Sequence, residues 1–242
     1  MTAGTRAALP FDLILFDLDG TLIETGPEIA DAVNDTLREL QFAPVDEAQV
    51  TRWIGHGTRE LLIQALAHRR GASAEAVRQS PDFAHIETRF GVHYGQRCGT
   101  RSRLYPHVRE SLAALRAAGV RLAVVTNKEG AYTARVLAAH GLDDAFDRVI
   151  SGDTLPVKKP NPLAVHDCQL RFAVAAARTL FVGDSAIDVA TARAAGVPVW
   201  CVPYGYNAGH PVADSQPDRI IADFGALHPD ALVALCRDTV QP

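Results

Sequence analysis

The sequence predicts an α/β protein: a doubly wound, Rossmann-like parallel sheet with an all-helical domain inserted after its first strand. Three observations predict it. A strand-like run, Phe11 to Phe16, ends in the acidic turn Asp17-Leu18-Asp19-Gly20, as suits a central parallel strand buried on both faces. From there to about residue 97 the periodicity is helical only. From about residue 104 helix and strand alternate, which implies right-handed crossovers and a sheet covered on both sides.

Taken in order, Ile29, Val33, Leu37 and Leu40 keep one helical face, with Pro27 in the first turn where its missing N–H costs nothing. Leu61, Leu62, Ala65 and Leu66 form a second stripe. Phe83, Ile86, Phe90 and Tyr94 form a third, an aromatic stripe read as insertion core rather than a substrate clamp. The insertion is expected over 23–99, leaving 1–22 and 100–242 as the α/β core. There, a helix with Val108, Leu112 and Leu115 stops at Gly119, and a strand runs from Val120 to Val125. The helix carrying Val136 and Leu137 closes at Gly141, where glycine makes a left-handed cap cheap. Arg148-Val149-Ile150, a proline-rich loop at Lys159, a helix from Leu163 to Leu170 and a strand from Thr179 to Val182 follow. A further helix stops at Gly196, before a strand from Val199 to Val202.

The chain has 242 residues, with 24 basic against 28 acidic side chains, so 24 − 28 gives −4. Its 48% hydrophobic and 21% charged residues exclude a disordered chain. The acidic balance argues against a nucleic-acid or membrane-surface partner, since a phosphate backbone selects basic stripes. No apolar run approaches the roughly 18 residues of a membrane span, and Met1 to Pro10 reads as no secretory signal. Cys98, Cys168, Cys201 and Cys236 form no CxxC pair, so free thiols in a reducing cytoplasm are expected. Nothing in the sequence specifies an oligomeric state.

Asp17 and Asp19, Thr126 and Asn127, and Asp184 all follow strands. In an open parallel sheet, ligands bind in the crevice outside the carboxyl ends of the strands, so these segments should converge. Packed carboxylates repel unless a cation is present, and a hard, oxygen-seeking Mg²⁺ is the natural resident. Lys159 and threonine hydroxyls beside it make a pocket for a phosphate dianion. A carboxylate attacks phosphorus without prior deprotonation, and a second acid two residues on can protonate the leaving alcohol. The constellation reads as phosphoester hydrolysis. Gly55-x-Gly57 is no nucleotide loop, because Glu60 stands where the third glycine belongs and no strand precedes it.

Phe16-Asp17-Leu18-Asp19-Gly20-Thr21-Leu22 resembles the first motif of the haloacid-dehalogenase-like hydrolases. Thr126-Asn127-Lys128 resembles their second, Lys159-Pro160 their third, and Gly183-Asp184-Ser185 with Asp188 their fourth. Within that superfamily, Trp53-Ile54-Gly55-His56-Gly57, Tyr204-Gly205-Tyr206-Asn207 and Ser215-Gln216-Pro217-Asp218 are similar to the phosphoglycolate phosphatase family. Glu24, Glu129 and Asn161 depart from its usual residues. The resemblance implies Asp17 as nucleophile and metal ligand, and Asp19 as acid/base with its backbone carbonyl on Mg²⁺. It implies Asp184 as metal ligand and Asp188 as support for that shell or for Lys159. Thr21, Thr126 and Lys159 are then expected at the phosphate, with Asn127 positioning the attack. His56 and Arg59, beside a Gly-rich turn of the cap, are expected to meet a substrate carboxylate. The implied substrate is a small phosphorylated metabolite, 2-phosphoglycolate. A sugar phosphate or pyrophosphate, a phosphosugar mutase reaction and a phospho-receiver are the alternatives. A receiver has no need of Asp19, and halide displacement needs neither its proton nor a metal.

Overall fold

The computed structural model describes residues 9–237; the expectation for the first eight residues lies outside them. Six parallel strands form the central sheet: β1 (Leu13–Phe16), β4 (Arg121–Val125), β5 (Arg148–Ile150), β6 (Thr179–Gly183), β7 (Val199–Cys201) and β8 (Arg219–Ile220). Their spatial order is β5-β4-β1-β6-β7-β8, so the chain winds outward from β1 in both directions. β1 explains its own sequence. Ile14 and Phe16 enter one apolar cluster and Leu13 and Leu15 the opposite one, so every position is apolar. Helices α6 (Val108–Ala117), α7 (Gly130–Ala139) and α10 (Pro229–Arg237) lie on the first face. Helices α8 (Leu163–Phe172) and α9 (Ala186–Ala195) cover the second.

Five helices stand between β1 and α6: α1 (Gly26–Glu39), α2 (Glu47–Thr51), α3 (Thr58–Arg70), α4 (Ala74–Arg78) and α5 (Phe83–Arg97). They share a third apolar cluster. Ile29, Val33 and Leu37 of α1 meet Phe83, Ile86, Phe90 and Tyr94 of α5, all at or below 3% exposure, as the stripes require.

The stretch after residue 22 is not helix alone. β2 (Ile23–Glu24) pairs antiparallel with β3 (Arg103–Leu104), tying together the chain's exit to the helices and its return. Two-residue strands carry no periodicity, which hid them. β8 and α10 also escaped the sequence reading; β8, with Arg219 and Ile220, is too short to alternate visibly. No helix of the described residues is long and apolar enough to cross a membrane.

Candidate active site

The register of the sheet assembles the site. Phe16 stands opposite Val124 on one side and Val182 on the other, so the three central strands end level. The residues that follow them emerge into one crevice. Asp17, Asp19, Thr126, Asn127, Lys128 and Asp184 line a narrow cavity there. Ile29, Ile54, Gly55, Thr58 and Leu61 of the helical insertion and Tyr206 form its other walls.

Oxygens of Asp17, Asp184 and Asp188 lie within 4.8 Å of one another. Burial, then the Lys159 charge opposing it, then Asp188 and Asp19, leave the Asp17 carboxyl pushed up to about 6. Burial first, then repulsion from Asp188 and Asp17, pushes Asp184 well above the carboxylate range. Such a set of hard oxygen donors, short of positive charge, fits a divalent cation. Lys159 Nζ is 2.8 Å from Asp17 Oδ1 and 2.7 Å from Asp188 Oδ1. The first contact is short but not aligned as a hydrogen bond, leaving Asp17 Oδ1 without a hydrogen-bond donor among the described residues. Burial acts to lower the Lys159 pKa, and the two carboxylates more than reverse it.

Asp188 earns its rigidity from helix capping. Ser185 is the N-cap of α9, and its side chain and Asp188 form a reciprocal capping box. Asp188 Oδ2 accepts from the Asp184 and Ser185 amides at 3.1 Å and from Ser185 Oγ at 2.7 Å, while Oδ1 accepts from Lys159. Both its oxygens are thus engaged in holding neighbours. Around Asp184 the backbone is close enough to demand glycine: a Cβ on Gly205 would collide with its carboxylate. One on Gly20, at φ +87°, would lie 2.5 Å from Asp184 Oδ2.

Several of the expected substrate-binding residues also hold other residues. Thr21 is fully buried and donates to Asp184 Oδ1 at 2.5 Å; it orients a carboxylate and does not line the cavity. Asn127 Nδ2 donates to the Gly55 and Lys159 carbonyls at 3.0 and 3.1 Å, and its Oδ1 accepts from the Lys159 amide at 2.9 Å. Asn127 therefore links the insertion to the core and sets the Lys159 loop. Thr126 Oγ1 accepts from the Lys128 amide at 3.2 Å and faces the cavity.

Arg59 is not brought to the site. Gly57, at φ +92°, turns the chain into α3 so that Thr58 and Leu61, three apart, face the cavity. That rotation sends Arg59 outward, to Glu87 Oε2 at 2.5 Å and over the Phe83 ring. His56 lines a neighbouring groove with Arg52, Trp53 and Ile187.

The sequence reading missed three groups. Lys128 is buried, with Nζ 2.8 Å from Asp19 Oδ1. Thr25 donates to the same oxygen at 2.6 Å. Tyr206 donates its amide to Asp184 and accepts from the Gly26 amide on its hydroxyl at 2.7 Å. Lys128 and Tyr206 stood within the quoted motifs without a role; Thr25 had no signal of its own.

The haloacid dehalogenase-like hydrolase family matches residues 14–202. The phosphoglycolate phosphatase of Haemophilus influenzae (strain 86-028NP) is 38% identical over 217 residues, covering 90% of this chain and 96% of that protein. That of Nitrosospira multiformis is 41% identical over 214 residues, covering 88% and 92%. A crystal structure of a "predicted phosphoglycolate phosphatase" from Haemophilus somnus superposes with a TM-score of 0.83 at 36% identity, covering 90% of this chain and 96% of that one. The chain belongs to the haloacid dehalogenase-like hydrolase family, among relatives named phosphoglycolate phosphatase.

Proposed function

We propose that this protein is a Mg²⁺-dependent phosphomonoesterase that works through an aspartyl-phosphate and hydrolyses 2-phosphoglycolate to glycolate and phosphate. One observation carries the reading: Asp17 lies in ion contact with Lys159, in one oxygen cluster with Asp184, and lines the same cavity as Asp19. The names of the relatives support the substrate.

Asp17, Asp184 and the Asp19 carbonyl would hold Mg²⁺, which would offset charge on the phosphoryl oxygens. Lys159 and Thr126 hold the phosphate against Asp17. A carboxylate oxygen of Asp17 attacks phosphorus, the P–O ester bond breaks, and Asp19 donates its proton to the departing alkoxide. Asp19 then takes a proton from water as the hydroxide attacks phosphorus, and Asp17 is released. Asp188, locked by Ser185, keeps Lys159 in place. The cap helices exclude bulk water, which strengthens each charge interaction inside. We assign the cap to 23–99 and the core to the flanking segments. Free thiols at Cys98, Cys168 and Cys201 suit a cytoplasmic enzyme.

A screen of phosphate esters with Mg²⁺, ranked by kcat/KM, tests the proposal. We expect phosphoglycolate first, phosphate and alcohol released in equal amounts, and reversible loss in EDTA. Retention of the phosphoryl group on the product would mark a mutase and overturn the reading.

A further inference from the structure

With Arg59 paired elsewhere, the cavity needs another group for the substrate's second negative charge. Among the described residues lining it, Lys128 is the only cation. Its side chain is 1% exposed, a burial that ammonium groups seldom show unless paired. Asp19 supplies its counter-charge, with Oδ1 2.8 Å from Nζ.

An ammonium has three donors. One reaches Asp19 Oδ1, and the Tyr94 ring lies beneath at 4.9 Å. No other acceptor among the described residues takes the rest, so Lys128 retains hydrogen-bonding capacity beside the acid/base carboxylate.

We propose that Lys128 is a specificity-determining residue that binds the carboxylate of a 2-phosphocarboxylate, an inference that rests on the phosphatase reading above. The chemistry of the substrate dictates the placement. The leaving oxygen must lie at Asp19 to receive its proton. In a phosphoglycolate the carboxylate carbon is two bonds from that oxygen. It therefore falls next to whatever group Asp19 touches, and that group is Lys128. Lys159 is taken by the phosphoryl end, through Asp17 and Asp188. A carboxylate entering so enclosed a place without a cation would be strongly disfavoured. An ester with a neutral tail asks nothing of Lys128, which keeps its bond to Asp19.

The test compares phosphoglycolate with 2-hydroxyethyl phosphate, a near-isostere whose tail is neutral, in wild type and Lys128→Met, with Mg²⁺ present. The readout is the ratio of the two kcat/KM values, which cancels any general damage to Asp19. We expect the wild-type preference for the carboxylate to fall about 50-fold or more in Lys128→Met. A preference retained within about threefold assigns Lys128 to Asp19 alone and overturns the inference, leaving the phosphatase reading standing. A wild type indifferent to the carboxylate overturns both the substrate and the inference. If Lys128→Met fails to match the wild-type circular dichroism spectrum, Lys128→Gln, polar and nearly as long, is read by the same ratio.

Discussion

Asp17 and its neighbours form a centre whose charges are matched only in part by the protein itself. The carboxyl group of Asp17 rises from 3.8 to about 6 because burial outweighs Lys159. Between those values the fold holds a proton that the unfolded chain has lost, so this group costs stability as pH rises through the window. In EDTA, Asp17→Asn should therefore melt above the wild type at about pH 7, with the gap closing toward about pH 4. Scanning calorimetry with and without Mg²⁺ checks this: the cation should raise the wild-type Tm more at about pH 7.5 than at about pH 5. The same substitution should lower kcat by at least about 10³-fold, since an amide is a poor nucleophile. Near-normal turnover would remove Asp17 from its role. A methyl at Gly205 has no room beside Asp184, so Gly205→Ala should abolish activity while Mg²⁺ no longer raises Tm.

At the scale of elements, the site borrows its precision from helix ends and strand ends. Ser185→Ala removes the N-cap of α9 together with a donor to Asp188. It should cost about 1 kcal/mol in denaturant unfolding and lower kcat more than it raises KM. The cap helices stand on a core of their own, with Phe90 2% exposed and its ring 5.6 Å from that of Tyr94. Phe90→Ala should cost about 3–5 kcal/mol, read from the urea midpoint at unchanged slope. Helical stripes such as Ile29, Val33 and Leu37 were legible because each repeats over three turns. The β2–β3 pair was not, because a hydrogen-bonded pair two residues long is decided by what lies beside it.

For the whole molecule, the decisive contact is the one between cap and core. Asn127 holds the Gly55 carbonyl of the cap and both backbone polar groups of Lys159. Asn127→Ala should lower kcat/KM by about 10²-fold, in line with the cost of a small misplacement of the reacting groups. Proteolysis near residues 99–102, the return from the cap, should quicken as closure weakens, and an unchanged rate would place Asn127 in the loop alone. The sequence by itself determined the sheet and the helical insertion and singled out Asp17, Asp19, Lys159 and Asp184, which the structure brings together, because apolar periodicity and short motifs are local along the chain. It also drew Arg59 toward the substrate, since a cation beside a Gly-rich turn looks available from sequence alone. Only the tertiary structure turned Arg59 to Glu87, Thr21 to Asp184 and Lys128 to Asp19. Which way a side chain faces depends on the rotation of its helix and on partners up to 163 positions away, and no local pattern encodes that.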